Sequence, residues 1–212
     1  MNNNEKTGII LLSGGLDSLV SLALAKDKCK IKYAINIDYG QKPYKEENQA
    51  SREICKLYDI ELIEIKLPFL EEICKNNDNF EDFKSVWVPN RNGLFINIAG
   101  VFCDKYDIDY IIFGANKEEA RNFSDNSIEF IDATNKMLEF STQKHPKVVA
   151  PCCNFTKVDI VNAAIERNLP LKLIKSCYNS GEKKHCGKCM SCKLLYNAIM
   201  NSKKPELIKE IF

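Results

Sequence analysis

The sequence predicts a doubly wound, mostly parallel five-stranded α/β sheet followed by a small cysteine-rich helical subdomain. Three observations carry that expectation. Short apolar runs alternate with stretches of helical period from residue 8 to about residue 167. The runs are mostly unbroken rather than alternating, as strands covered on both faces require. Four cysteines then gather at positions 177–192, dividing the chain into an α/β part (residues 1–170) and a metal-binding part (171–212).

The expected strands are residues 8–12, 31–37, 60–65, 110–113 and 147–150. After the first, Leu16, Leu19, Val20, Ala23 and Leu24 fall on one face of a helix. Residues 67–92 are polar and irregular, bounded by Pro68 and Pro89, and form a candidate flap or a plain insertion. Residues 93–106 are apolar nearly all round, predicting a buried helix. Thr156-Lys157-Val158-Asp159 is a capping-box pattern opening a helix that carries Val158, Val161 and Ile165. In such a sheet, ligands are expected at the carboxyl ends of the strands.

The bulk numbers narrow the class. With 212 residues, 45% hydrophobic and 28% charged, the chain has the balance of a globular protein with one well-packed domain. A formal charge of +1 gives no global field toward nucleic acid, so direct nucleic-acid binding is not expected. No apolar run approaches the length that crosses a membrane. Residues 1–7 are polar and the apolar stretch after them is too short for a signal-peptide core, so a cytoplasmic protein is expected. In that reducing setting, ten cysteines point to metal or chemistry more than to disulfides.

The first strand runs into Ser13-Gly14-Gly15-Leu16-Asp17-Ser18. Two glycines let backbone N–H groups approach an anion, and the following helix start adds donors and a positive dipole end. The loop suits a pyrophosphate. It has neither the Gly-Lys-Ser/Thr of a Walker loop nor G-x-G-x-x-G, and no lysine clamps a terminal phosphate. That favours chemistry in which the α-phosphate is attacked and pyrophosphate leaves. Downstream, Cys177, Cys186, Cys189 and Cys192 are spaced C-x8-C-x2-C-x2-C, a set that closes a tetrahedral structural zinc site. Gly187 supplies the turn and Lys188 a compensating charge. His185 is an alternative ligand, and a [4Fe–4S] cluster the minority alternative.

The hexapeptide resembles the PP-loop of the adenylating ATP pyrophosphatases. Asp38-Tyr39-Gly40-Gln41, Val88-Pro89-Asn90-Arg91-Asn92, Ser176-Cys177-Tyr178-Asn179 and Cys186-Gly187-Lys188-Cys189 are similar to segments of the 7-cyano-7-deazaguanine synthase family, in the same order. The resemblance implies ATP with Mg²⁺ bound by Leu12, Ser13, Gly14, Gly15, Leu16, Asp17, Ser18, Asp38, Tyr39, Gln41 and Gly114. It implies catalytic roles for Asp17, Ser18 and Arg91. A substrate pocket of Arg91, Asn92, Glu118, Glu119, Phe123, Asp125 and Lys157 follows from it as well. Glu118 and Glu119 have an alternative reading as solvated helix-end charges.

The implied reaction is adenylation and amination of 7-carboxy-7-deazaguanine with ammonia, via an amide, to the nitrile, in a homodimer. The chain departs from the family pattern at Asn122-Phe123-Ser124-Asp125-Asn126-Ser127, where Gly-Tyr-Pro-Asp-Cys-Arg is usual. A divergent relative that makes an amide, or a conjugate with an amine or protein acceptor, is therefore a second reading. A third is a PP-loop tRNA sulfurtransferase using Cys152 and Cys153, a pair that otherwise reads as small apolar residues at a strand end.

Overall fold

A computed structural model describes residues 5–74, 86–179, 181 and 185–212. Five parallel strands form one sheet in the order β3-β2-β1-β4-β5. They are β1 (Thr7–Leu11), β2 (Lys30–Asp38), β3 (Glu61–Lys66), β4 (Tyr110–Ile112) and β5 (Lys147–Val149), each within one residue of the expected span at most ends. The helices are α1 (Leu16–Ala25), α2 (Tyr44–Tyr58), α3 (Pro68–Cys74), α4 (Arg91–Tyr106), α5 (Ile128–Ser141), α6 (Lys157–Glu166), α7 (Met190–Met200) and α8 (Ile208–Ile211).

Unbroken apolar strands feed two cores because alternate side chains point to opposite faces. Ile10, Ala34 and Ile112 enter the core under α1, α2, α6 and α7, while Ile9, Ile35 and Ile111 enter the one under α4 and α5. The segment after residue 170 contributes Ile174, Leu195, Ala198, Ile199 and Ile211 to the first of these cores. Edge strand β3 is the exception, with Glu61, Glu64 and Lys66 exposed and the rest only partly buried.

Two expectations are corrected. The helix expected at residues 93–106 begins at Arg91 and buries one face only; Val101 is 67% exposed. Within 67–92, Pro68–Cys74 is helical and packs Glu71 against Gly40, so that part is not irregular. Residues 75–85 of the candidate flap lie outside the described residues. The capping box forms as expected: Thr156 Oγ1 accepts from Asp159 N at 3.2 Å, and Asp159 Oδ2 accepts from Thr156 N at 2.9 Å.

The strand order reverses between β1 and β4, so a crevice opens where their carboxyl ends diverge. No described helix is long and apolar enough to cross a membrane.

Candidate active site: a glycine loop beside a four-thiol cluster

A cleft of about 470 Å³ occupies that crevice. Its floor is the loop after β1. Gly14 holds φ +75°, and a Cβ there would lie 2.6 Å from the Glu47 carbonyl oxygen, so only glycine fits. Asn36 and Ser51 both donate to the Leu12 carbonyl, at 2.8 and 3.1 Å, and fix the point where strand becomes loop. Within the loop, Ser18 Oγ donates to the Gly15 carbonyl at 3.0 Å and lies 3.3 Å from Ser13 Oγ. No side chain of the loop caps α1; the Leu16 N–H donates to Ser176 Oγ at 3.2 Å instead. The Lys175 N–H donates to the Gly14 carbonyl at 2.8 Å. The segment leading into the cysteine cluster is therefore a wall of the glycine loop.

One side of the cleft is ionic. Lys157, at the first position of α6, reaches Asp17 Oδ2 at 2.5 Å and Glu119 at 3.9 Å. Burial opposes the Lys157 charge, but Asp17 and Glu119 hold its proton on. Burial pushes the Glu119 carboxyl up despite Lys157, and Asp17 adds to the rise. Asp17 Oδ1 is buried and has no hydrogen-bond partner among the described residues. Glu119 thus belongs to the cleft and is not a solvated helix-end charge. Glu118 is not on the cleft wall; its carboxylate accepts from the Lys157 N–H at 3.3 Å.

The opposite side is aromatic and cationic. Arg91 donates to the Tyr39 hydroxyl at 3.3 Å and lies over its ring at 5.5 Å. Burial works against its charge, and Tyr39, Tyr178 and Asp125 more than restore it. Asn92 donates to the Asp125 carbonyl at 3.5 Å, tying α4 to the 124–126 turn. Trp87 and Phe123 stack with ring centroids 5.7 Å apart and planes 8° from parallel. Asp38 is not part of this wall; it accepts from the Gly40 N–H at 3.1 Å and shapes the turn that presents Tyr39 and Gln41.

Several cleft residues were not expected from the sequence, Trp87, Lys175 and Glu47 among them. Trp87 stood alone in an irregular stretch. Lys175 had no periodic signal. Glu47 did have one, because it heads the inward stripe Glu47, Ala50, Ser51, Ile54 and Cys55 of α2. Gln41 Nε2 donates to its carboxylate at 3.0 Å. Burial lifts the Glu47 carboxyl to about 7, against the lowering effects of that bond, Arg91 and Lys175.

The four sulfurs of Cys177, Cys186, Cys189 and Cys192 lie within 4.8 Å of one another. Two of the pairs stand at 4.0 and 3.9 Å, near the edge of about 3.8 Å that a tetrahedron with 2.3 Å metal–sulfur bonds would have. Backbone N–H groups of Asn179 and Cys186 aim at Cys177 Sγ, and those of Lys188 and Cys189 at Cys186 Sγ, at 3.3–3.4 Å. Gly187, at φ +72°, makes the turn that brings them there. The donors suit thiolates, so the cluster fits a metal ion. His185 is not among the cluster's ligands. Its Nε2 accepts from the Ser176 N–H at 3.3 Å and its Nδ1 faces the Ile211 carbonyl at 3.0 Å, tying the C-terminus to the loop wall.

Cys152 and Cys153 are absent from the cleft wall. Cys152 is fully buried, accepts from Ser21 Oγ at 3.4 Å, and has its thiol pushed up to about 11 by burial. It is an inert core residue.

A parallel α/β sheet with a glycine loop at its switch point, walled by the strap that leads into a four-cysteine cluster, defines a PP-loop protein. The U34-tRNA thiolase NcsA from Methanococcus maripaludis, solved with its [4Fe-4S] cluster, shares the fold at a TM-score of 0.53 and 17% identity, over 99% of this chain and 74% of that one. The chain belongs to the family described as queuosine biosynthesis protein QueC, which matches residues 7–203. The 7-cyano-7-deazaguanine synthase of Methanosarcina mazei is 42% identical over 207 residues, 87% of this chain and 89% of the relative. That of Carboxydothermus hydrogenoformans is 42% identical over 208 residues, 90% and 96% respectively.

Proposed function

We propose that the chain is a cytoplasmic, homodimeric 7-cyano-7-deazaguanine synthase that consumes ATP and releases AMP and pyrophosphate. The observation that carries the ATP reading is Asp17 Oδ1, a buried carboxylate oxygen with no hydrogen-bond partner among the described residues, beside a loop that only glycine can form. Lys157 pairs with Oδ2 only, so the open Oδ1 leaves Asp17 suited to hold Mg²⁺ there. The ion would neutralise phosphate charge. The substrate follows from what the relatives are named for.

In the reaction, an oxygen of the deazaguanine carboxylate bonds to the α-phosphorus of ATP and pyrophosphate leaves. Ammonia then displaces AMP to give the amide. A second adenylation, at the amide oxygen, is followed by loss of AMP and a proton to give the nitrile. The Ser13–Ser18 loop would hold the departing pyrophosphate. Arg91, a guanidinium kept charged by its surroundings, would orient the substrate carboxylate. The Trp87–Phe123 stack offers a flat apolar face to a planar base, and Glu119 and Asp125 offer acceptors to its N–H edge. Lys157 keeps Asp17 in place. Catalysis is chiefly positioning and electrostatics. The four thiolates would bind a structural zinc that shapes the loop wall.

A second reading, with an amide or conjugate as the final product, is favoured by Ser127. Where the family pattern has an arginine, its hydroxyl accepts from Phe130 N at 3.1 Å and caps α5, leaving Arg91 as the only arginine among the described cleft residues.

Mass spectrometry of the chain incubated with 7-carboxy-7-deazaguanine, Mg-ATP and ammonium separates these readings. The nitrile should appear with AMP and pyrophosphate, and Gly14→Ala should make none. Amide that accumulates without nitrile would select the second reading, and absence of turnover with ATP intact would overturn both.

A further inference from the structure

Four basic residues line the cleft: Lys42, Arg91, Lys157 and Lys175. Lys157 is spoken for by Asp17 and Glu119, and Arg91 leans on Tyr39 and Asp125. Lys42 is exposed at the rim. Lys175 differs from all three. Only 2% of it is accessible, and among the described residues its ammonium donates to one group, the Asn179 carbonyl at 2.9 Å. Among the described residues it has no carboxylate at ion-pair distance. The Glu47 carboxyl responds to the Lys175 charge but is itself lifted by burial.

A buried ammonium with a single carbonyl partner is costly unless an anion completes it. Its position says which anion. The Lys175 backbone N–H holds the Gly14 carbonyl, and its own carbonyl would stand 3.6 Å from a Cβ on Gly15, so the residue is fastened to the phosphate loop. The loop's own hexapeptide contains no cation.

We propose that Lys175 is the missing cation of the phosphate loop, a catalytic residue that binds the pyrophosphate moiety of ATP and stabilises it as it leaves. This rests on the ATP reading above. The chain supplies the charge from the strap before the cysteine cluster, not from the loop, so the metal-binding part takes a direct share in phosphate recognition. The ammonium has two N–H groups left after Asn179, enough for contact with two phosphate oxygens.

The test is calorimetric titration of the metal-loaded chain with inorganic pyrophosphate and Mg²⁺, and separately with AMP. Lys175→Met should weaken pyrophosphate binding by about tenfold or more and leave AMP within about twofold, the loss expected for a charge-assisted contact. Lys175→Arg should recover part of it. Both variants should keep their metal. The unliganded melting temperature of Lys175→Met should not fall far, because it loses an uncompensated charge. Pyrophosphate binding by Lys175→Met within twofold of the native chain would overturn the proposal. A native chain that binds neither ligand would instead overturn the ATP reading beneath it. If Lys175→Met does not fold, Lys175→Gln in the same titration decides the matter.

Discussion

Glu47 is the clearest case of a single residue whose environment sets its chemistry. Burial beside the loop raises its carboxyl from 4.5 to about 7, so the folded chain favours the protonated form. A raised acid contributes stability that is fully present below pH 4.5 and is lost as pH rises through about 7. The contribution is at most about 3 kcal/mol, reduced by whatever solvent reaches this half-buried group. Glu47→Gln cannot ionise, so its stability relative to the native chain should climb across that pH window. Denaturant midpoints of both proteins at several pH values measure this, and parallel curves would refute it. Tyr39 and Lys175 show the same rule from other sides: burial raises the Tyr39 phenol, and it leaves Lys175 seeking an anion.

Among the elements, α6 shows how a cap delivers a functional side chain. The Thr156–Asp159 box fixes the start of the helix, which puts Lys157 at its first position and its ammonium on Asp17. Thr156→Ala should cost about 1 kcal/mol and lower the melting temperature by about 2–4 °C. It should also weaken Mg-ATP binding, while Thr156→Ser keeps most of both; calorimetry with ATP beside thermal melts tests the pair. An Ala variant with lowered stability and unchanged ATP affinity would uncouple the cap from the site. The start of α4 makes the complementary point. Periodicity began at Gly93 because Arg91 and Asn92 are polar, yet both are in the helix and turn their side chains into the cleft. A functional face breaks the apolar pattern by which helix ends are recognised.

Across the whole molecule, the cysteine cluster and the glycine loop form one unit. Lys175 and Ser176 hold Gly14 and Leu16, Cys177 follows at once, and His185 anchors Ile211 to the same wall. If the cluster binds zinc as proposed, removing it with a strong chelator should lower the melting temperature and weaken ATP binding together. Cys189→Ser should do the same, with the bound zinc measured by elemental analysis. ATP affinity that survives loss of the metal would show the two halves to be independent.

Strand positions, the glycine loop, the capping box and the four-cysteine spacing were legible in the sequence because each is a local signal: period, turn chemistry or ligand spacing over a few residues. The sequence also carried the family through motifs spread along the chain. Only the tertiary structure decided that Asp17 meets Lys157 from 140 residues away, that Lys175 is buried under Gly14, that Glu47 and Trp87 face the cleft, and that Asp38 and Glu118 do not. Those meetings depend on how crossover helices and the final strap pack back on the sheet. Local periodicity says which face of a helix is buried, and long-range packing determines what that face finds there.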